Sequence, residues 1–259
     1  MVKKAVIPCA GWGTRMYPFS KTLPKELIPI VNKPVLHYVI DECIENGIEE
    51  FIIIVTPEKT SIFQKYFNTH YPNIKVKYVI QNQMTGWVDA MYICESEIEN
   101  QPFVLILPDN LFVDKGSFLK KLIETHNKYQ KSVMGVSQVP MQDATKYGVI
   151  KNEPLEDNMY KMLEFLEKPD VVPSNLVHNG WDIFTPVFFE AVREVGKGMH
   201  ENKKADLTFN KIIEKEGMYA CEYTGTWLDT GNPKSYVKSF WRLLDDFESL
   251  KGIKEELGR

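Results

Sequence analysis

Hydrophobic residues in the first half of the chain gather into short unbroken runs, and between those runs they recur at helical spacing. Val2 to Pro8, Phe51 to Val55, Val76 to Ile80 and Phe103 to Leu107 have the continuous apolar character of strands covered on both faces, and a further strand is predicted over Ser132 to Val139. Leu36, Val39, Ile40 and Cys43 mark a helix that Pro34 opens and Gly47 stops. Trp87, Ala90, Met91, Cys94 and Ile98 mark a second helix, and Phe118, Leu119, Leu122 and Ile123 a third. Strands alternating with helices argue for crossover units and a parallel sheet. The predicted class is α/β, a Rossmann-like mixed, mainly parallel sheet with helices on both faces.

Beyond residue 140 the pattern loosens. Tyr147 to Lys151 and Tyr160 to Glu167 flank the acidic turn Glu153 to Asn158 and read as a hairpin. Pro186 to Val195 and Asp206 to Glu216 read as helices, Tyr219 to Tyr223 as a strand and Ser235 to Leu250 as a closing helix. There is no repeat and no Gly/Ser linker. Residues 1–259 are therefore expected to form a single domain: a core over 1–140, a small lid subdomain over 141–231, and a C-terminal helix within 232–259.

Composition narrows the class of function. With 44% hydrophobic and 25% charged residues the 259-residue chain can bury a large core, and disorder is excluded. No apolar run approaches the ~20 residues that span a bilayer. Lys3 and Lys4 precede a short apolar stretch, but no small-residue cleavage pattern follows, so neither a signal peptide nor a membrane partner is expected. Cys9, Cys43, Cys94 and Cys221 are far apart in apolar surroundings and read as reduced core thiols of a cytoplasmic protein.

A net charge of -4 argues against nucleic acid as a partner. The first 33 residues nevertheless hold Lys3, Lys4, Arg15, Lys21, Lys25 and Lys33 against Glu26 alone. Within them Gly11-Trp12-Gly13-Thr14-Arg15 follows the first strand. Glycines there let backbone amides approach an anion, and Arg15 and Lys25 add fixed positive charge. The segment reads as a phosphate cradle. It is neither a Walker loop nor the dinucleotide fingerprint, because the spacing of glycines and lysine differs from both.

The run from Gly11 to Pro18, followed by Lys21, Pro24 and Lys25, closely resembles the N-terminal signature of the sugar-1-phosphate nucleotidylyltransferases, notably the glucose-1-phosphate uridylyltransferases and thymidylyltransferases. Lys25-Glu26-Leu27-Ile28-Pro29-Ile30-Val31-Asn32-Lys33-Pro34 continues the match, and further resemblances recur along nearly the whole chain. The resemblance implies that residues 1–140 bind nucleotide and that 141–231 form a sugar-binding lid.

Several sites follow from it. Ala10, Gly11, Gly13 and Thr14 would contact the nucleotide, with Arg15 and Lys25 on its triphosphate. Gln81 and Gly86 occupy the positions that read uracil or thymine, and an amide side chain can donate and accept together as a pyrimidine edge requires. Asp109, in Leu107-Pro108-Asp109-Asn110, and Asp229, in Trp227-Leu228-Asp229-Thr230-Gly231, would be the metal ligands and catalytic carboxylates. Such a hard oxygen site suits Mg²⁺ completed by phosphates. Tyr147, Gly148, Glu167, Lys168, Asn179 and Gly180 match the sugar-phosphate positions.

The implied reaction joins a nucleoside triphosphate to a sugar 1-phosphate, foremost UTP with glucose 1-phosphate to give UDP-glucose and pyrophosphate. A dTTP-dependent thymidylyltransferase, or another nucleotide and sugar pair, is the alternative. A catalytically silent sugar-nucleotide-binding regulator is a second class, opposed by the presence of Arg15, Lys25, Asp109, Lys168 and Asp229. The departures concern specificity: Trp87-Val88-Asp89 replaces a leucine, a glycine and a histidine of many uridylyltransferases, Phe209 falls where they carry Asp, Asn232 where they carry Thr, and Asn110 is nearer the thymidylyltransferase form. No appended acyltransferase repeat domain is expected, and the closing helix would suit either core packing or a homo-oligomer.

Overall fold

The computed structural model describes residues 1–259 except 114–115, 197–198, 248–249, 251 and 257–259. The chain opens with β1 (Lys4–Pro8), which leads into a loop of three 3-10 turns (Thr14–Met16, Phe19–Lys21, Lys25–Leu27) and the tiny hairpin β2 (Pro29–Ile30) and β3 (Lys33–Pro34). Then come α1 (Val35–Glu45), β4 (Glu50–Val55), α2 (Pro57–His70) and β5 (Lys75–Ile80). They are followed by α3 (Trp87–Tyr92), α4 (Glu95–Ile98), β6 (Phe103–Ile106), β7 (Asn110–Val113), α5 (Phe118–Tyr129) and β8 (Ser132–Gln138). The second half adds α6 (Met141–Ala144), β9 (Gly148–Pro154), β10 (Met159–Glu167), β11 (Leu176–Phe184), α7 (Val187–Val195) and α8 (Glu201–Glu216). It ends with β12 (Met218–Glu222), β13 (Thr226–Asp229), α9 (Pro233–Leu243) and α10 (Ile253–Glu256).

Nine of these strands form one sheet in the order β5-β4-β1-β6-β11-β8-β12-β10-β9. β5, β4, β1 and β6 are mutually parallel, as are β8 and β12, whereas β11 and β10 run against their neighbours. The mixed, mainly parallel α/β sheet expected from the apolar runs is the one observed. Its central strands are apolar throughout because both faces are covered. Ala5, Ile7, Phe51, Ile53, Val104 and Ile106 point into the core roofed by α1, α2 and α5, while Val6, Ile52, Ile54, Phe103 and Leu105 point into the one roofed by α3, α7 and α8.

The structure also departs from the expected elements. α2, β7, β11 and β13 fall in segments to which the apolar pattern assigns nothing. Helix α2 buries only Phe63, Tyr66 and Phe67 on an otherwise polar surface, which is too sparse a signal to read. The helix expected across Trp87 to Ile98 is broken at Ile93 and Cys94. Helix α8 begins at Glu201, earlier than its apolar residues suggest, because its first turn is largely solvated. The closing helix stops at Leu243 and continues as a 3-10 turn over Leu244–Asp246, and residues 248–249 of the expected Ser235 to Leu250 helix lie outside the described residues. All four cysteines are free and buried, and no helix among the described residues is long and apolar enough to cross a membrane.

Phe209 turns out to be a core residue. Its ring is buried between Trp87, Phe165, His178 and Phe184. Phe209→Ala is expected to lower unfolding stability by about 3–5 kcal/mol, as for other large aromatic truncations, in a denaturant titration.

Candidate functional site

The loop after β1 is shaped by its glycines and by a brace from a helix. Gly13 sits at φ 63°, and a Cβ there would stand 3.2 Å from Ser20 Cβ and 3.3 Å from Lys25 Cβ, so the left-handed backbone and the tight packing both favour glycine at this position. The Ser20 hydroxyl donates to the Gly13 carbonyl at 2.7 Å. From α2, Lys59 donates to the carbonyls of Cys9 and Gly11 at 2.9 and 2.5 Å. This lysine belongs to a helix the apolar pattern does not reveal, and nothing local in the sequence marks it as a loop brace.

Beside the loop lies a cavity of about 350 Å³ at the carboxyl end of β1, where open α/β sheets take their ligands. Ala10, Gly11, Gly13, Thr14, Lys25, Gln81 and Gly86 all line it. The expected nucleotide residues therefore share one space. Gln81 is buried and its side-chain amide reaches the Gly86 carbonyl at 3.5 Å. Gly86, at φ 107°, packs so tightly on Glu201 that an added Cβ would stand 2.9 Å from Glu201 Cγ, and Glu201 accepts the Trp87 amide at 2.8 Å. Lining residues without a prior site assignment include Glu26, whose carboxylate is buried, and Trp12, which is half exposed. Val88 and Asp89 are not among the lining residues; Val88 is buried in the core and Asp89 pairs with the buried Lys204.

Lys25, which lines this cavity, forms an ion pair with Asp109 at 2.5 Å, with both side chains 17% exposed. Burial by itself would raise the Asp109 carboxyl, but the Lys25 ammonium, with help from Arg15, outweighs it and holds Asp109 below its ordinary range. Burial pulls Lys25 down, and Asp109 and Glu26 more than restore it, so the ammonium is held above its ordinary value. Both groups are charged at neutral pH.

Asp229 comes to the same place through strand pairing. β13 runs antiparallel to β7 with Asp229 opposite Asn110, which sets the two acidic residues side by side. The Thr230 amide and hydroxyl both donate to the Asp109 carbonyl, at 2.8 and 3.0 Å, and the Gly231 amide donates to Asp229 Oδ1 at 2.7 Å. A Cβ on Gly231 would meet Asp109 Oδ2 at 2.8 Å, Asp229 Oδ1 at 3.1 Å and Arg15 Nη2 at 3.5 Å. Two carboxylates and a guanidinium from three distant segments thus converge on one glycine. Asn110 is occupied structurally: its Oδ1 accepts the Trp227 indole at 2.8 Å.

The remaining residues line the wall built by β9, β10 and β11. Gly148 pairs with Glu167, and a Cβ there would meet Phe165 at 2.4 Å and Glu167 Oε2 at 2.8 Å. Glu167 and Lys168 form an ion pair at 3.0 Å, and the Lys168 amide donates to the Tyr147 carbonyl at 3.0 Å. Gly180, at φ 90°, lies in the β11 bulge, where a Cβ would crowd Asn110 Nδ2 at 2.8 Å and Leu107 at 3.0 Å. The Tyr147 ring stands edge-on to Trp227 at 5.5 Å. Asn179 is placed differently from its neighbours: it is 1% exposed, donates to Ser137 Oγ at 3.1 Å and accepts the Trp181 amide at 3.4 Å, so its amide faces the sheet interior and holds the bulge that presents Gly180.

Residues 4–246 match the nucleotidyl transferase family model. The chain belongs to that family. Its relatives include the UTP–glucose-1-phosphate uridylyltransferase of Bacillus subtilis (strain 168), 31% identical over 91% of this chain and 89% of that protein. The protein of the same name from Staphylococcus epidermidis is 30% identical over 92% of this chain and 91% of its own length. Among solved structures, a UDP-glucose pyrophosphorylase complexed with UDP-glucose superposes with a TM-score of 0.85 at 31% identity, covering 95% of this chain and all of the other.

The crowding at Gly231 can be tested directly. Gly231→Ala is expected to cut kcat for nucleotidyl transfer by about a hundredfold, because ångström displacements of reacting groups have effects of that size, while the melting temperature changes little. Pyrophosphate release and thermal unfolding measured on the same preparation check both halves.

Proposed function

We propose that this protein transfers a uridylyl group from UTP to glucose 1-phosphate, releasing pyrophosphate and forming UDP-glucose. The observation that carries the reading is the meeting of Asp109, Asp229 and Arg15 at Gly231, joined through the Lys25–Asp109 ion pair to a cavity that Lys25 lines together with Gln81 and Gly86. The shared names of the relatives support the substrate pair.

In this reaction a phosphate oxygen of the sugar 1-phosphate bonds to the α-phosphorus as the bond from that phosphorus to the β-phosphate oxygen breaks. The nucleophile is already anionic, so no enzyme base is required. The obstacle is repulsion. At an effective dielectric near 20, two unit charges ~4 Å apart repel by about 4 kcal/mol. Positioning and charge neutralisation are what the protein must supply.

On this reading Arg15, Lys25 and the amides of Gly11, Gly13 and Thr14 hold the triphosphate and meet the charge growing on pyrophosphate. Lys168 holds the incoming phosphate, and Glu167 accepts hydroxyls of the sugar ring, with Gly148 and Gly180 allowing the close packing that shapes its wall. Residues 1–140 then serve the nucleotide, 141–231 the sugar, and 232–259 close the domain. Asp109 and Asp229 would hold Mg²⁺. Two hard carboxylates fit an ion that takes its remaining ligands from water and substrate phosphates, and no cluster of three or more His, Cys, Asp or Glu side chains competes for it among the described residues. When bound, the ion neutralises phosphate charge. The engagement of Asn110 with Trp227 removes one reason to prefer a thymidylyltransferase, since that residue serves the pairing of β7 with β13.

A pyrophosphate-release assay crossing UTP, dTTP, CTP, ATP and GTP with several sugar 1-phosphates tests the reading. UTP with glucose 1-phosphate is expected to give the highest kcat/KM, and a higher value for another pair would displace it. Asp109→Ala should lower kcat by about a thousandfold with the melting transition retained. Lys25→Ala should act mainly on kcat, as for a contact that tightens in the transition state, and an effect confined to KM would contradict its role.

A further inference from the structure

A buried ion pair adjoins the sugar-facing acid of the proposed site. His178 Nε2 meets Asp182 Oδ2 at 2.7 Å, with the histidine side chain 10% exposed and the aspartate fully buried. Asp182 Oδ1 accepts the Gly135 amide at 3.2 Å, so both carboxylate oxygens are engaged and the imidazole is held by one edge. Phe165 and Phe209 stand against its ring, with centroids at 6.1 and 5.8 Å. Nδ1, on the other edge, has no partner among the described residues. Burial by itself would lower the histidine's pKa, but Asp182 and the field of Glu167 outweigh it and hold the ring above its ordinary value, which favours an imidazolium with a proton on each nitrogen. Taking two charges out of water into a phenylalanine cluster is seldom more stable than apolar packing of the same volume, so the pair needs a reason beyond the fold.

Strand pairing sets this histidine beside Glu167. Gly148 of β9 pairs with Glu167 of β10, and Val149 of β9 pairs with Val177 of β11. One step along that antiparallel register His178 falls opposite Gly148, so Glu167, Gly148 and His178 make a row across three neighbouring strands on one face of the sheet. Gly148 carries no side chain, and Glu167 Oε2 and the Phe165 ring close over it. Glu167 pairs with Lys168, and its field reaches His178 without a hydrogen bond between them. A carboxylate can only accept, whereas a sugar hydroxyl both donates and accepts. The row therefore offers a sugar ring an acceptor at one end and a fixed donor at the other.

We infer that His178, anchored by Asp182, donates from Nδ1 to a hydroxyl oxygen of the sugar 1-phosphate and so determines, beside Glu167, which sugar is accepted. The inference rests on the reading of β9, β10 and β11 as the sugar wall. Asp182 is a positioning residue, since it fixes the imidazole and touches no substrate. A pair that only braced β11 against β8 would matter equally for every sugar, whereas a donor to the ring is felt at one hydroxyl.

The test is kcat/KM with UTP for glucose 1-phosphate and its 2-, 3-, 4- and 6-deoxy analogues, in the wild type, His178→Leu, Glu167→Gln and the double variant His178→Leu with Asp182→Asn. The wild type is expected to prefer the parent sugar over at least one analogue by about tenfold or more, as for loss of a hydrogen bond to a charged group. In His178→Leu one such ratio should fall to within about threefold while the others stay as in the wild type. A wild type indifferent to every hydroxyl, a Leu variant that keeps all the ratios however slow it is, or one in which all of them collapse together would each overturn the inference. Should His178→Leu fail to fold because Asp182 is left buried and unpaired, the double variant decides by the same ratios, since it removes both charges and keeps an acceptor for the Gly135 amide. If another sugar 1-phosphate is used in place of glucose 1-phosphate, the glucose reading falls and the deoxy series of that sugar tests His178 in the same way. If Glu167→Gln alters no ratio while His178→Leu removes one, the role given to Glu167 falls and that of His178 stands; if no sugar 1-phosphate is turned over, both fall.

Discussion

The site depends on like charges being held together by opposite ones. Asp109 and Asp229 converge at Gly231, and Lys25 and Arg15 make that tolerable. Removing water strengthens both attraction and repulsion, so carboxylates this close stay ionised only where cations are equally close. The lowered pKa of Asp109 and the raised pKa of Lys25 express that balance. Two anionic substrates would enter the same balance, and the excess positive charge of the opening segment places the site on an otherwise acidic chain.

The fold creates this meeting by ending strands at one edge. β1 delivers the glycine loop, β6 delivers Asp109 just beyond its last residue, and the pairing of β13 with β7 brings Asp229 across from far along the chain. Thr230 ties the two segments through the Asp109 carbonyl, so the acids are positioned by backbone as well as by their own bonds. At Gly180 and Gly231 neighbouring atoms lie too near for a side chain, and each marks a close approach between segments distant in sequence.

The core is closely packed and apolar on both faces of the sheet, and its polar groups are largely bonded. Glu26, Thr56, Trp181 and Thr208 are among the exceptions, with buried polar atoms that lack a hydrogen-bond partner. Binding sites keep groups that are awkward in the empty protein because their partners arrive with the ligand.

Residue patterning alone determined the α/β class, the parallel central strands and the glycine loop with its cations, because continuous burial on both faces of a strand and helical spacing on one face are written locally. The matched motifs named Ala10, Gly11, Gly13, Thr14, Lys25, Gln81 and Gly86 among the residues that line the cavity. Tertiary structure decided the rest. Helix α2 and strands β7, β11 and β13 carry too few apolar residues in regular spacing to be read, yet they supply Lys59, the bulge at Gly180 and the strand pairing that brings Asp229 to Asp109. Phe209 is buried in the core, and the Asn179 amide faces the sheet. Whether a polar side chain is satisfied, as with Asn110, or left without a partner, as with Glu26, depends on atoms contributed by remote segments, and no local pattern encodes that.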